Sequence, residues 1–236
     1  MVFGRVINPS RQTPGMQVAV IADIHSNLPA LEAVLEEVDH LPIYCAGDVV
    51  GYNPFPNEVI ALLRERGAVS ILGNHDQAVL SGDTSWFNPV AAAAIEWTAG
   101  ELAQDSLGYL RSLPRSYEDG IYMVHGSPKS PLEEYVYGDA PDYQLLEMFN
   151  HTRRDVIVLG HTHVPFLRRL GERLVFNPGS VGQPRDGDPR ASCAVLATEE
   201  REVEIIRAEY DIDAVAKAIL ERGLPQPLAL RLYGGW

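Results

Sequence analysis

Five times along this chain a short apolar run stops at a cluster of aspartate, asparagine, histidine and glycine. Asp23-Ile24-His25 follows Gln17 to Ala22, Gly47-Asp48 follows Ile43 to Ala46, and Gly73-Asn74-His75-Asp76 follows Ala68 to Leu72. Later, His125-Gly126 follows 121–124, and Gly160-His161-Thr162-His163 follows 155–159. Apolar, β-branched runs of this length between turn residues read as buried strands. Open α/β sheets bind their ligands outside the carboxyl ends of their strands. Five polar clusters in the same position therefore demand a fold that gathers those strand ends in one place.

The segments between the runs supply helices. Asn27 followed by Pro29 is a helix entry, with Leu31, Val34, Leu35 and Val38 on one face. A second helix is expected from about Asn57 to Arg66, closed by Gly67. Asn88-Pro89 opens an Ala-rich helix through about Gln104, and a short helical stretch ends near Pro114. Beyond Ile121 the pattern turns to β, with further runs at 166–170, 173–176, 191–197 and 202–207, and a helix at 212–222 is expected to close the fold. Strand–helix units followed by mostly β structure predict an α/β fold of two sheets packed face to face with helices outside.

The length of 236 residues suits one domain over 16–236. Residues 1–15, with Gly4, Pro9, Pro14 and Gly15 among polar neighbours, read as a flexible N-terminal extension. Residues 127–150 read as an insertion over one end of the sheets, suited to a lid.

Composition narrows the partners. Hydrophobic residues make up 46% and charged residues 22%, enough for a packed core. A net charge of -13 without basic clusters disfavours nucleic acid and anionic membranes. A protein so acidic needs a source of positive charge if it is to hold phosphate esters, and bound metal supplies one. Cys45 and Cys193 sit in apolar runs and are expected to be reduced core residues. With no signal-peptide pattern and no apolar run long enough to span a bilayer, a cytoplasmic location is expected.

Five of the seven histidines, His25, His75, His125, His161 and His163, fall inside the clusters, leaving only His40 and His151 outside. A lone histidine at a strand end is an ordinary structural residue; five there together, with Asp23, Asp48 and Asn74, make a ligand set. Carboxylate, imidazole and amide without thiolate suit Mn, Fe, Zn, Ni or Mg in a catalytic site. Two such ions about 3.5–4 Å apart can activate a water and stabilise an in-line displacement at phosphorus, given one carboxylate between them.

In order and spacing, Asp23-x-His25, Gly47-Asp48, Gly73-Asn74-His75-Asp76, His125 and Gly160-His161-x-His163 resemble the motifs of calcineurin-like metallophosphoesterases, over residues 17 to about 185. The resemblance implies a four-layer α/β/β/α sandwich of two mixed sheets. It implies one metal on Asp23, His25 and His163, another on Asn74, His125 and His161, and Asp48 bridging them. It casts His75 as the group facing the scissile phosphate, with Asp76 orienting its imidazole; Asp76 capping the following turn is a compatible reading. The run Gly47-Asp48-Val49-Val50-Gly51-Tyr52 lacks the second Asp and the Arg of the serine/threonine protein phosphatases. The chain is more similar to the compact bacterial and archaeal branch, including the loop Asn177-Pro178-Gly179-Ser180-Val181-Gly182, and that branch implies phosphodiester hydrolysis.

The expectation is thus a metal-dependent phosphoric ester hydrolase that carries two divalent ions, manganese favoured, and acts on small phosphodiesters or nucleotides. Phosphomonoesters, dinucleoside polyphosphates and a non-catalytic protein-binding scaffold on the same fold are the alternatives. Tyr52, Asn53 and Arg185 are candidate substrate contacts, and Tyr135 and Tyr137 candidate cleft residues. The sequence carries no signal for oligomeric state.

Overall fold

The computed structural model describes residues 16–236; the extension expected at 1–15 lies outside the described residues. The first half alternates strand and helix: β1 (Gln17–Ile21), α1 (Leu28–Glu37), β2 (Ile43–Cys45), α2 (Pro56–Glu65) and β3 (Val69–Ser70). Three helices follow, α3 (Asn74–Ser81), α4 (Pro89–Glu101) and α5 (Gln104–Ser112). Next come β4 (Ser116–Asp119), β5 (Ile121–Val124), α6 (Asp142–Met148), a 3-10 turn at Phe149–His151, and β6 (Val156–Val158). The chain then forms β7 (Phe166–Leu170), β8 (Arg173–Asn177), β9 (Ala191–Ala197), β10 (Glu202–Ala208), α7 (Ile212–Glu221) and α8 (Gln226–Gly234).

These strands make two mixed sheets of five, ordered β10-β9-β1-β2-β3 and β4-β5-β6-β8-β7. In the first, β1, β2 and β3 run parallel while β9 and β10 are antiparallel. In the second, β5, β6 and β8 run parallel and the edge strands β4 and β7 are antiparallel. Each sheet thus sends the carboxyl ends of three parallel strands in one direction.

The period of two along β1 explains the layering. Val18 and Val20 pack between the sheets against Met123, Val158 and Phe176, while Ala19 and Ile21 face Leu31, Val34 and Ile60 on α1 and α2. Both faces are buried, which is why β1 reads as an unbroken apolar run. On the far face of the second sheet, Val136, Leu145, Met148 and Phe149 cover Ile157 and Val175. The result is the expected four-layer sandwich, helices / sheet / sheet / helix.

Several details differ from expectation. The third strand shrinks to Val69–Ser70 because the chain turns there to start α3 at the Asn74 cluster. The fold does not end with α7: α8 packs Leu228, Ala229 and Leu232 against Val215 and Ile219 of α7 and against Ala91 and Ala94 of α4. Strand β4, with the polar sequence SYED, pairs only at a sheet edge and gives no apolar signal. The segment 127–150 divides in two. Its α6 belongs to the fourth layer, with Leu145 fully buried, while the part carrying Tyr135 lies against His161. Cys45 and Cys193 are free and buried. No helix among the described residues is long and apolar enough to cross a membrane.

Candidate metal centre

The carboxyl ends of β1, β2 and β3 deliver Asp23, His25, Asp48 and Asn74; those of β5 and β6 deliver His125, His161 and His163. The backbone bends sharply to do so. Asp23, His25, Asp48, His161 and His163 all adopt left-handed φ values between 48° and 70°, as do Ser26 and Tyr52 beside them; of the described non-glycine residues only Arg201 does so elsewhere. Such conformations cost energy for residues other than glycine and gather where a site requires them.

A frame of backbone hydrogen bonds holds these turns. Asp23, His25 and Ser26 N–H groups donate to the carbonyls of Gly47, Asp48 and Val49, tying the first loop to the second. The 177–182 loop braces them from the second sheet: Ser180 Oγ donates to the Asp23 carbonyl at 2.7 Å, and Asn177 Nδ2 donates to the Gly160 carbonyl at 2.6 Å. The loops approach so closely that a Cβ on Gly73 would overlap Asp48 Oδ1 and the Asp48 nitrogen, and one on Gly182 the Ile24 carbonyl.

Hydrogen bonds also fix the imidazoles. Nδ1 of His25 lies 3.2 Å from the Val50 carbonyl, Nδ1 of His125 2.8 Å from that of Ala46, and Nδ1 of His163 2.6 Å from that of Gln183. A carbonyl only accepts, so each Nδ1 carries a proton, and on His25 and His163 the Nε2 lone pair is turned inward. Consequently the Nε2 atoms of His25 and His163 face each other at 3.1 Å, each 3.5 Å from an Asp48 or Asp23 oxygen. His161 Nε2 is buried without a partner. Buried lone pairs and carboxylates pointed at one another repel unless a cation lies among them, so the donor set fits divalent metal.

The donor atoms form two groups. Asp23, His25, Asp48 and His163 make one; Asp48, His125 and His161 make the other, and within each the ligand atoms lie within 4.8 Å of one another. Asp48 belongs to both. Asn74 joins the second group, its Oδ1 3.0 Å from His125 Nε2.

The electrostatics agree with this donor arrangement. Burial drives His25 and His163 far below the usual imidazole range, His161 to about 3 and His75 to about 4, so these rings are neutral. Burial would also lower His125, but the Asp48 carboxylate outweighs it and raises that ring to about 9. Burial works against the Asp48 charge too, yet His125 beside it, by charge and by hydrogen bond, holds its carboxyl well below the usual range. Asp23 is pushed up, chiefly by burial and further by Asp48.

His75 is buried with its ring between Tyr52, His25 and Phe87, at centroid distances of 4.4, 4.7 and 4.9 Å, and it lines the cleft. Its Nδ1 has no hydrogen-bond partner. The expected orienting contact from Asp76 is not made: that carboxylate accepts from the N–H groups of Gly73, Val49 and Val50 at 2.9, 3.2 and 3.0 Å. Asp76 caps α3 and clamps the 48–51 loop to it, and the His75 ring is held by packing instead.

Of the candidate substrate contacts, Tyr52 and Arg185 line the cleft, with Arg185 Nη2 donating to the Tyr52 hydroxyl at 3.2 Å. Asn53 does not: it is buried, and its Nδ2 donates to the His25 and Gly182 carbonyls at 2.9 and 3.4 Å. Tyr135 stacks on His161 at 3.8 Å, and Tyr137 on Tyr135 at 6.4 Å. Trp86, Phe87, Arg231 and Trp236 also line the cleft, though none stands near a polar cluster in sequence. Proline at 225 and 227 and leucines at 228 and 232 were the available signal for the helix that brings in Arg231.

This combination of sandwich and buried Asp/His cluster defines a metallophosphoesterase. The chain belongs to the calcineurin-like phosphoesterase superfamily, whose domain model matches residues 16–201. The crystal structure of a metallophosphoesterase from Sphaerobacter thermophilus superposes with a TM-score of 0.83 and 38% identity, covering 94% of this chain and all of that one. An uncharacterized protein of Methanocaldococcus jannaschii is 38% identical over 92% of this chain and 98% of its own length. The phosphodiesterase YfcE of Escherichia coli is 28% identical over 85% of this chain and 98% of its own length.

Proposed function

We propose that the protein is a binuclear metallophosphodiesterase that hydrolyses small phosphodiesters or nucleotides. Asp23, His25 and His163 would hold one divalent cation and Asn74, His125 and His161 the other, with Asp48 shared. The membership of Asp48 in both donor groups is the observation that carries this reading. When bound, such a cation pair acidifies a water and neutralises charge on the phosphate; manganese is the favoured metal.

The chain's own groups do the remainder. Arg185, bonded to the Tyr52 hydroxyl and the Gln183 side chain but to no carboxylate among the described residues, is free to take a non-bridging phosphate oxygen. His75, fixed by ring packing and lining the cleft, donates a hydrogen bond from its neutral ring to the departing alkoxide. The loop carrying Tyr135 is the part of 127–150 suited to act as a lid, since α6 is anchored by Leu145. The similarity to a named phosphodiesterase supports the diester substrate class.

The test is hydrolysis of bis(p-nitrophenyl) phosphate beside p-nitrophenyl phosphate by metal-stripped protein, with Mn, Ni, Mg or Zn restored singly and bound metal counted. Restored turnover at two ions per chain with the diester preferred is expected. A preference for the monoester would make the protein a phosphatase. Failure with every metal, in folded protein, would favour a binding platform on the same fold.

A further inference from the structure

The region matched by the family model stops at residue 201, yet the wall of the cleft does not. Helix α8 brings Arg231 and, just beyond it, Trp236 to a cavity of about 310 Å³ that also contains Asp48, His75 and Arg185. Two features fix them there. Leu228 and Leu232 of α8 pack in the same apolar cluster as Tyr52, whose hydroxyl receives Arg185. The chain then turns at Gly235, φ 63°, with the Gly187 N–H donating to its carbonyl at 2.9 Å. A Cβ on Gly235 would sit 2.7 Å from the Asp188 backbone, so this turn is docked tightly on the loop that carries Arg185.

Against a net charge of -13, the cleft arginines differ from the other half-buried arginines of the described residues by their lack of carboxylate partners. Half-buried Arg66, Arg154, Arg168, Arg201 and Arg207 all form ion pairs, and the unpaired arginines other than Arg185 and Arg231 are exposed. The carboxylates nearest in sequence to Arg185, Asp186 and Asp188, are taken by Arg207 and Arg190. Among the described residues neither Arg185 nor Arg231 forms an ion pair. The Arg231 guanidinium lies 5.8 Å from the Trp236 ring centroid, and its Nε is buried without a hydrogen-bond partner. A half-buried guanidinium left unpaired in so acidic a protein is a binding group awaiting an oxyanion, and its planar fork suits phosphate.

We propose that Arg231, backed by Trp236 and acting with Arg185, forms a distal subsite for a second oxyanion of the substrate. The substrate class is then a phosphodiester that carries a further, non-scissile phosphate. This inference rests on the diesterase reading for its substrate, but the subsite itself is a matter of binding.

The experiment compares the p-nitrophenyl ester of thymidine 5′-phosphate with and without a 3′-phosphate, so that the scissile bond and leaving group are the same. In metal-reconstituted full chain, kcat/KM should favour the 3′-phosphorylated ester by about tenfold, the scale of one charge-assisted interaction. Arg231→Gln should bring that ratio within about twofold of unity, and Arg231→Lys should restore part of it. In parallel, tryptophan fluorescence of the metal-free chain is titrated with thymidine 3′,5′-bisphosphate and thymidine 5′-phosphate, with circular dichroism confirming the fold of each variant. The bisphosphate should bind more tightly, and only while Arg231 is present. A wild-type ratio near one in both assays, or a preference that survives Arg231→Gln, would overturn the subsite. A binding preference without any turnover would keep the subsite and sink the diesterase reading; turnover without a preference would do the opposite.

Discussion

The floor and the walls of this cleft are built on opposite plans. On the floor, Asp23, His25, Asp48 and His163 are almost wholly buried, their backbones strained and nearly every polar atom tied to another loop. The walls use Trp86, 85% exposed, Tyr135, 51% exposed, and the half-buried Arg185 and Arg231, held by a few contacts each. The contrast teaches where each kind of work is done. A metal centre needs donors fixed to within a fraction of an ångström, so its residues are over-constrained; recognition tolerates looser side chains. The floor should therefore respond to substitution in stability and chemistry together, the walls in substrate preference alone.

The sharpest test of this division is Asp48→Ala. It removes the one residue common to both donor groups, so turnover should fall by on the order of a thousandfold or more and bound metal should drop below two per chain. Full metal occupancy by elemental analysis would show that Asp48 is not shared. Next is Asp76→Ala, which strands three buried N–H groups, those of Gly73, Val49 and Val50. Chemical denaturation should register a loss of about 3 kcal/mol. Asp76→Asn should recover part of it; a loss of activity at unchanged stability would instead restore Asp76 to a role at the His75 ring.

Gly73→Ala should cost about 2 kcal/mol, since the new methyl overlaps the Asp48 carboxylate and backbone and must push the second loop outward. Metal affinity should weaken with it, and a variant as stable and as well loaded as the parent would mean the floor is pliant rather than over-constrained. Smallest of all are the wall changes. Tyr135→Ala and Trp86→Ser should each alter stability by under about 0.5 kcal/mol, with any effect confined to KM. A large shift in melting temperature for either would erase the distinction between floor and walls.

The same division governs what could be read from the sequence. Floor residues lie in short clusters at strand ends, so Asp23, Asn74 and His161 were legible as ligand candidates, and the alternation of apolar runs with helix entries gave both sheets. Local sequence does not say where a side chain goes once it leaves the backbone. Asp76 adjoins His75 in the chain, yet its carboxylate reaches back to the loop after β2. Asn53 follows Tyr52 but turns inward to the carbonyls of His25 and Gly182. The walls were mostly illegible because they come from separate segments, each contributing one or two side chains with no periodic pattern. Arg231 and Trp236 were hidden further, since the expected fold ended before the helix that carries them.

The facing Nε2 atoms of His25 and His163 belong to residues 138 positions apart, and the same interval separates Asp23 from the His161 N–H that it accepts. Ligand groups so distant in the chain meet only after the two sheets have docked, which places the centre among the late events of folding. A ribosome-bound portion of this protein that ends before residue 163 has no complete first donor group to offer. The choice among competing cations is therefore made by a finished fold, under the metal concentrations of the place where folding is completed, and not by the emerging chain.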